Sequence, residues 1–277
     1  MFSGFMANTW IVATVVAAVA GVVGFFVVIR GSSFAAHALP LGAFPGAAAA
    51  SLLGVNAIFG LVVFSAVGAI GIGQLSKRGK RDVATALILV VLLGLGALFL
   101  SMTSEYAPEI YSLLFGEVLG IAKDEVGPII GLGVVAVLAI GLLYRPLMLS
   151  SISPELGEVQ GISTSKMELC FLLVVALVTA MALPVVGALL VFSLMVGPPA
   201  AARAFTNRPQ VAIVLSAAVA LVTVWASIAI SYESNWPVGF FVGGFGAGSY
   251  FIGRGWTWLS RAYATRADTA VELEHAA

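Results

Sequence analysis

Few side chains in this sequence are equipped for chemistry, and they are widely spaced. His37 is one of only two histidines, the other being His275, and it shares an apolar stretch with Pro40 and Pro45. An imidazole nitrogen can take a proton or a borderline metal ion. An ionisable group inside an apolar span is costly to keep there and is a functional candidate by default. The competing view places His37 within a turn or so of the interface, near Arg30, from where it reaches water. Two histidines cannot make a His-rich zinc centre or an HExxH helix, and the single cysteine, Cys170, lies in an apolar run and is expected to pack there. The stretch GQLSKRGKR, Gly73 to Arg81, has one residue too many between its glycines for a phosphate loop and an Arg where Ser or Thr must hold magnesium. No nucleophile with a base, no paired acids and no metal motif is found. The chain is therefore not expected to be an enzyme, and any ATP hydrolysis that drives it is expected in a separate polypeptide.

The elements that must position these groups follow from composition. Of 277 residues, 61% are hydrophobic and 9% charged, with 13 basic and 13 acidic side chains and a net charge of zero. A soluble domain carries about 25% charge. Nine spans of about 20 residues would take about 180 positions, close to the apolar content, so an all-α integral membrane protein is expected. The balanced charge gives no footprint for nucleic acid. The first apolar stretch has no basic segment before it and is followed by Arg30, so it is expected to be a span and not a removable signal peptide.

Apolar runs fall at Trp10 to Ile29, Ser33 to Leu53, Ala57 to Leu75, Val83 to Met102, Val126 to Tyr144, Met167 to Leu183, Val185 to Phe205, Val211 to Ile230 and Pro237 to Ile252. Pro40, Pro45 and nearby glycines predict a kinked or broken second span, which a membrane tolerates where neighbours or a water-lined cavity satisfy the freed backbone. The sixth and seventh runs are separated only by Pro184, so one of them could be re-entrant, and eight or nine spans are expected. His37 reads as the one titratable group in the span interiors. Glycines such as Gly42 with Gly46, and the run from Gly239 to Gly248, are expected to let helices approach closely.

Counting Lys and Arg in short loops puts the amino terminus outside. Arg30, Lys77, Arg78, Lys80, Arg81, Arg145, Lys166, Arg203, Arg208, Arg254, Arg261 and Arg266 then fall in the cytoplasm, and only Lys123 outside. Glu105, Glu109, Glu117, Asp124, Glu125 and Glu233 fall on the outer side, where they either solvate loops or make a field attractive to cations. The segment from Glu105 to Asp124 is too short and too charged to span, and predicts a surface or re-entrant helix on that side. Within SSISPELGEVQGISTS, Ser150 to Ser165, the order Ser153, Pro154, Glu155 is a helix start and Gly161 a stop. A short exposed helix between spans is an ordinary loop helix or a docking element for a cytoplasmic partner. Residues 1–254 are expected to form the membrane domain and residues 255–277 a cytoplasmic tail.

Four segments together resemble the membrane permease subunit of bacterial ATP-binding-cassette importers of metal cations, the zinc and manganese uptake family. They are IRGSSFAAHALPLGAFPG (Ile29 to Gly46), LLFGEVLGI (Leu113 to Ile121), SISPELGEVQGIS (Ser151 to Ser163) continuing into VVGALLVFSLMVGPPAAARAF (Val185 to Phe205), and SYESNWPVG (Ser231 to Gly239). The resemblance runs from about Gly21 to Gly253. It implies that the segment from Pro154 to Gly161, with Glu155 and Glu158, is a coupling helix that docks on the ATPase. It also implies two permeases around a central pathway, two ATPase subunits inside, which use the ATP, and a metal-binding protein outside. No tightly bound cofactor is implied, the divalent metal being the cargo.

The departures from the family pattern bear on the cargo. Aligning Phe44, Pro45 and Gly46 with the family's Leu-Pro-Gly puts His37 where an Asp is usual and Leu41 where a His is usual. The acid that commonly precedes the proline of the fourth segment falls at Asn235 or Trp236, leaving Glu233 as the nearest acid. The implied pathway residues are thus His37, Leu41, Pro45, Glu233 and Asn235, with His37 the one metal-ligand candidate. Manganese prefers oxygen ligands and imidazole suits zinc, so these changes lean away from manganese. The expected function is that of a permease importing a divalent transition metal. The alternatives are the same architecture carrying a metal chelate or other small solute, and a transport-inactive membrane scaffold.

Overall fold

The computed structural model describes residues 4–78, 80–102, 116 and 121–275. Each of the nine apolar runs falls on a helix of its own. In chain order these are α1 (Gly4–Ile29), α2 (Ser33–Leu53), α3 (Ala57–Leu75), α4 (Arg81–Ser101), α5 (Lys123–Ile152), α7 (Thr164–Val186), α8 (Ala188–Phe205), α9 (Pro209–Ser234) and α10 (Val238–His275), with the six-residue α6 (Pro154–Val159) between α5 and α7. Seven of them, α1 to α5, α7 and α9, are long and apolar enough to cross a membrane, and α8 supplies a shorter apolar segment. Most of the helix expected between Glu105 and Asp124 lies outside the described residues.

Local chemistry sets the element ends. The α2–α3 turn closes on Gly54, at φ +67°, whose N–H reaches the carbonyls of Ala50 and Ser51, and on Asn56, whose side chain accepts from the Ile58 N–H at 2.8 Å. The break between the sixth and seventh runs comes at Gly187, not at Pro184. Pro184 is carried inside the last turn of α7, where it removes one donor but the helix continues to Val186, and Gly187 adopts φ +84°, ψ 156°, a conformation essentially confined to glycine. The second span is not broken. Helix α2 runs from Ser33 to Leu53 with Pro40 and Pro45 inside it, because it is enclosed by α3, α4, α7 and α8 and neighbours hold its course where the two prolines remove donors. Helix α10 is likewise continuous and passes through residue 254 to His275.

Helices α1 and α7 are the most enclosed and carry the core through Val16, Val23, Phe26, Phe171, Leu172 and Met181. Helices α4 and α5 turn most of their apolar side chains outward, as a lipid-facing helix does. Some of the glycines expected to permit close approach do so, Gly46 and Gly246 among them, whereas Gly42 meets only the Leu92 side chain and Gly244 and Gly248 have nothing within 4 Å of an added Cβ. A Cβ on Gly46 would stand 2.1 Å from the Gly60 carbonyl oxygen of α3, and one on Gly246 would meet the Ser193 hydroxyl of α8. Helices α1 and α9 run antiparallel, tied by Ser216 Oγ donating to the Gly21 carbonyl and Trp225 Nε1 to Thr14 Oγ1. Arg30 and α6 therefore lie at one end of the bundle, and the end of α9, with Glu233 and Asn235, at the other.

Candidate functional site

His37 stands one turn into α2, half-buried, facing α8. Its ring meets Phe192 edge-to-face, with centroids 4.8 Å apart and planes at 68°. Its Nδ1 is buried and has no hydrogen-bond partner among the described residues. Leu41, one turn on, is half-buried against the small cluster of Ala43, Ala47, Leu61, Ala180, Leu183 and Ala188. Pro45, a further turn on, is buried against α4, its Cγ 3.0 Å from where a Cβ of Gly96 would sit. These three share one column of α2, because residues four apart are neighbours on a helix.

Glu233 and Asn235 are not brought to His37. Both are exposed at the opposite end, where Asn235 caps α9 with φ +56° and its N–H bonds the Ser231 carbonyl at 2.9 Å. Asparagine tolerates this left-handed conformation better than other non-glycine residues, so its position has a backbone reason of its own. Among the described residues no group of three or more His, Cys, Asp or Glu converges as a metal-holding set.

The short helix α6 forms where the sequence predicts it, with Pro154 at its first turn. Ser153 occupies the cap position, but among the described residues its side chain makes no capping bond, its backbone at φ −144°, ψ 87° departing from the usual cap geometry. Gly161 ends the turn at φ +78°, donating to the Glu158 carbonyl at 2.9 Å, and Ile162 N–H returns to the Gly157 carbonyl at 2.9 Å. Gly157 is buried, which leaves Glu155, Leu156, Glu158 and Val159 exposed. Thr164 Oγ1 donates to Glu158 Oε1 at 3.2 Å. Two carboxylates and two uncovered aliphatic side chains on one turn make a face suited to a protein partner with a basic rim and an apolar floor.

His37 is not the only titratable group inside the spans. Glu168, the second residue of the sixth apolar run, is 7% exposed and holds two arginines. Arg30 Nη2 donates to its Oε2 at 2.9 Å, and Arg81 Nε lies 3.3 Å from its Oε1. Arg30 follows the last residue of α1, where a cation suits the negative end of the helix dipole, and Gly31 at φ +63° turns the chain there. One acid among the first residues of an apolar run, with an arginine ending an earlier run, is the sequence signal for such a pair. The charge count places Arg30 and Arg81 on the cytoplasmic side without pairing them.

With this geometry in place, the relatives decide the family. The sequence profile of the ABC 3 transport family matches residues 3–253. The chain belongs to the ABC 3 transport family. Among ABC 3 relatives, the manganese transport system membrane protein MntC of Halalkalibacterium halodurans is 30% identical over 221 residues, 79% of this chain and 76% of that one. The high-affinity zinc uptake system membrane protein ZnuB of Haemophilus influenzae is 30% identical over 190 residues, 68% of this chain and 72% of that one. PsaBC from Streptococcus pneumoniae, solved in complex with a Fab, superposes with a TM-score of 0.82 at 25% identity, covering 91% of each chain. This ABC 3 chain is accordingly a multi-pass protein of the bacterial plasma membrane and a transport component. Its bundle is the permease fold expected from the four matching segments.

Proposed function

We propose that the chain is the permease subunit of an ATP-driven importer of a divalent transition metal, of the zinc or manganese type. The observation that carries this reading is the exposed α6, held between two spans of an ABC 3 bundle whose relatives are named for manganese and zinc. Pro154, Glu155, Glu158 and Gly161 build the helix that docks on a cytoplasmic ATPase, and that ATPase performs the hydrolysis. The membrane unit is residues 1–254, and residues 255–277 form the cytoplasmic tail, through which α10 runs as far as His275.

In this reading two copies of the chain enclose the pathway, and a metal-binding protein delivers cargo at the end marked by Glu233 and Asn235. His37 contacts the ion in passage, its unpaired Nδ1 being the supporting geometry, with Leu41 and Pro45 lining the same column. Two imidazoles, one from each copy, make a weak two-nitrogen gate, which suits a group that must release its cargo as readily as it accepts it. A second reading keeps the architecture and carries a metal chelate, supported by the lack of a three-ligand set among the described residues. Cellular manganese, iron, zinc and copper, measured in a deletion strain and its complement under metal limitation, test both. A deficit in one metal restored by the wild-type chain is expected. No deficit in any metal would overturn metal import in either form and leave another small solute or a transport-inactive scaffold.

A further inference from the structure

Five helix ends converge on the carboxylate of Glu168. Arg30, at the end of α1, binds it and also donates through Nη1 to Ser150 Oγ at 2.9 Å and Ser151 Oγ at 3.1 Å, in the last turn of α5. Arg81, the first residue of α4, donates to the Arg30 carbonyl at 3.2 Å and to Ser32 Oγ, just before α2, at 3.4 Å. Glu168 itself lies early in α7, and the Arg30 guanidinium sits 5.3 Å from the centroid of the Phe171 ring one turn further on. Helix α6 is the link between α5 and α7. Both of its anchors, the Ser150–Ser151 pair and Glu168, are thus held by one guanidinium.

The side chains of Arg30 and Glu168 are 4% and 9% exposed, whereas that of Arg81 is 38% exposed. Buried charges out of water interact strongly and over a fixed geometry, and a buried ion cluster adds little stability beyond what apolar packing would give. The cluster instead joins particular helix ends. We propose that Glu168, with Arg30 and Arg81, is the transmission joint that carries displacement of α6 to α1, α2 and α4, and so to His37 one turn along α2. These are positioning residues: they touch neither cargo nor nucleotide. The proposal rests on α6 being the ATPase-docking helix.

The test uses the permease–ATPase complex in proteoliposomes, with manganese and zinc ions as probes, reading complex yield, ATP hydrolysis and metal uptake. Arg81→Gln removes the half-exposed arm and leaves the buried pair; Glu168→Gln keeps the shape and removes the charge. Complex yield and hydrolysis are expected to hold while uptake per ATP hydrolysed falls about tenfold, within the span of ordinary coupling between sites. Arg81→Lys is expected to restore part of the ratio. An unchanged ratio in Arg81→Gln, or uptake that falls only as complex yield falls, overturns the joint, and Arg81→Gln decides alone if Glu168→Gln does not fold. A wild-type chain that binds no ATPase overturns the α6 reading first and the joint with it, before any variant is compared.

Discussion

The imidazole of His37 lies edge-on to Phe192, 4.8 Å between centroids, with Nδ1 buried and unpaired. The aromatic ring packs against one side of the imidazole without hydrogen-bonding its nitrogen. His37→Ala is expected to cut metal uptake at least tenfold at unchanged expression, and radiotracer uptake in cells measures it. His37→Asp substitutes a hard oxygen donor and is expected to raise manganese uptake relative to zinc. Uptake of both ions at wild-type rates and ratio in the two variants would remove His37 from the pathway.

Reversing charge on α6 addresses the docking face alone. Glu155 and Glu158 are exposed, and Glu158 has only an edge contact with Thr164. The double variant Glu155→Lys/Glu158→Lys is expected to leave the permease folded and lower co-purified ATPase by about tenfold, a modest loss for two rim charges that become repulsive. Quantitative co-purification reads the result, and undiminished ATPase would contradict the assignment.

Glu168→Ala strands a guanidinium. With the carboxylate gone, Arg30 keeps its two serine contacts but loses its counter-charge inside the bundle, a change that costs about 3–5 kcal/mol in buried pairs. The detergent-solubilised variant is expected to unfold at a visibly lower temperature than the wild type. An equal Tm would show that the pair is hydrated.

Gly46→Val tests the closest helix approach. Its Cβ would stand 2.1 Å from the Gly60 carbonyl oxygen, and Gly46 has no flexible side chain opposite it that can yield. The backbones must separate, at about 1–3 kcal/mol or more. A reduced yield of folded protein in fluorescence size-exclusion profiles is expected, against near-normal behaviour for Gly94→Val, where nothing lies within 4 Å of the added Cβ.

The spans were legible because lipid imposes one rule on every residue facing it, and the boundaries of α2 and α3 follow directly from the apolar runs. The α6 turn was legible too, since Pro154 and Gly161 specify its ends by backbone geometry alone. Pro184 misled as a break because the helix continues past its missing donor to Val186, while the true break depends on an unusual ψ at Gly187 that composition does not reveal. Pro40 and Pro45 misled for a related reason: the support that keeps α2 continuous comes from other helices. Glu168 escaped notice because one acid among Met167, Leu169 and Cys170 reads as the edge of a span. Its significance depends on Arg30, 138 positions away in sequence.

The contact of Gly46 with Gly60 has a mechanical side. Where two helix backbones touch with no side chains between them, and a tight turn at Gly54 joins them, they cannot slide past one another without losing the whole contact. Helices α2 and α3 thus behave as a single plate. That plate borders α4, α7 and α8. His37 and Phe192 meet on its border with α8, so any shift of the plate against α8 is felt first at the contact between these two rings.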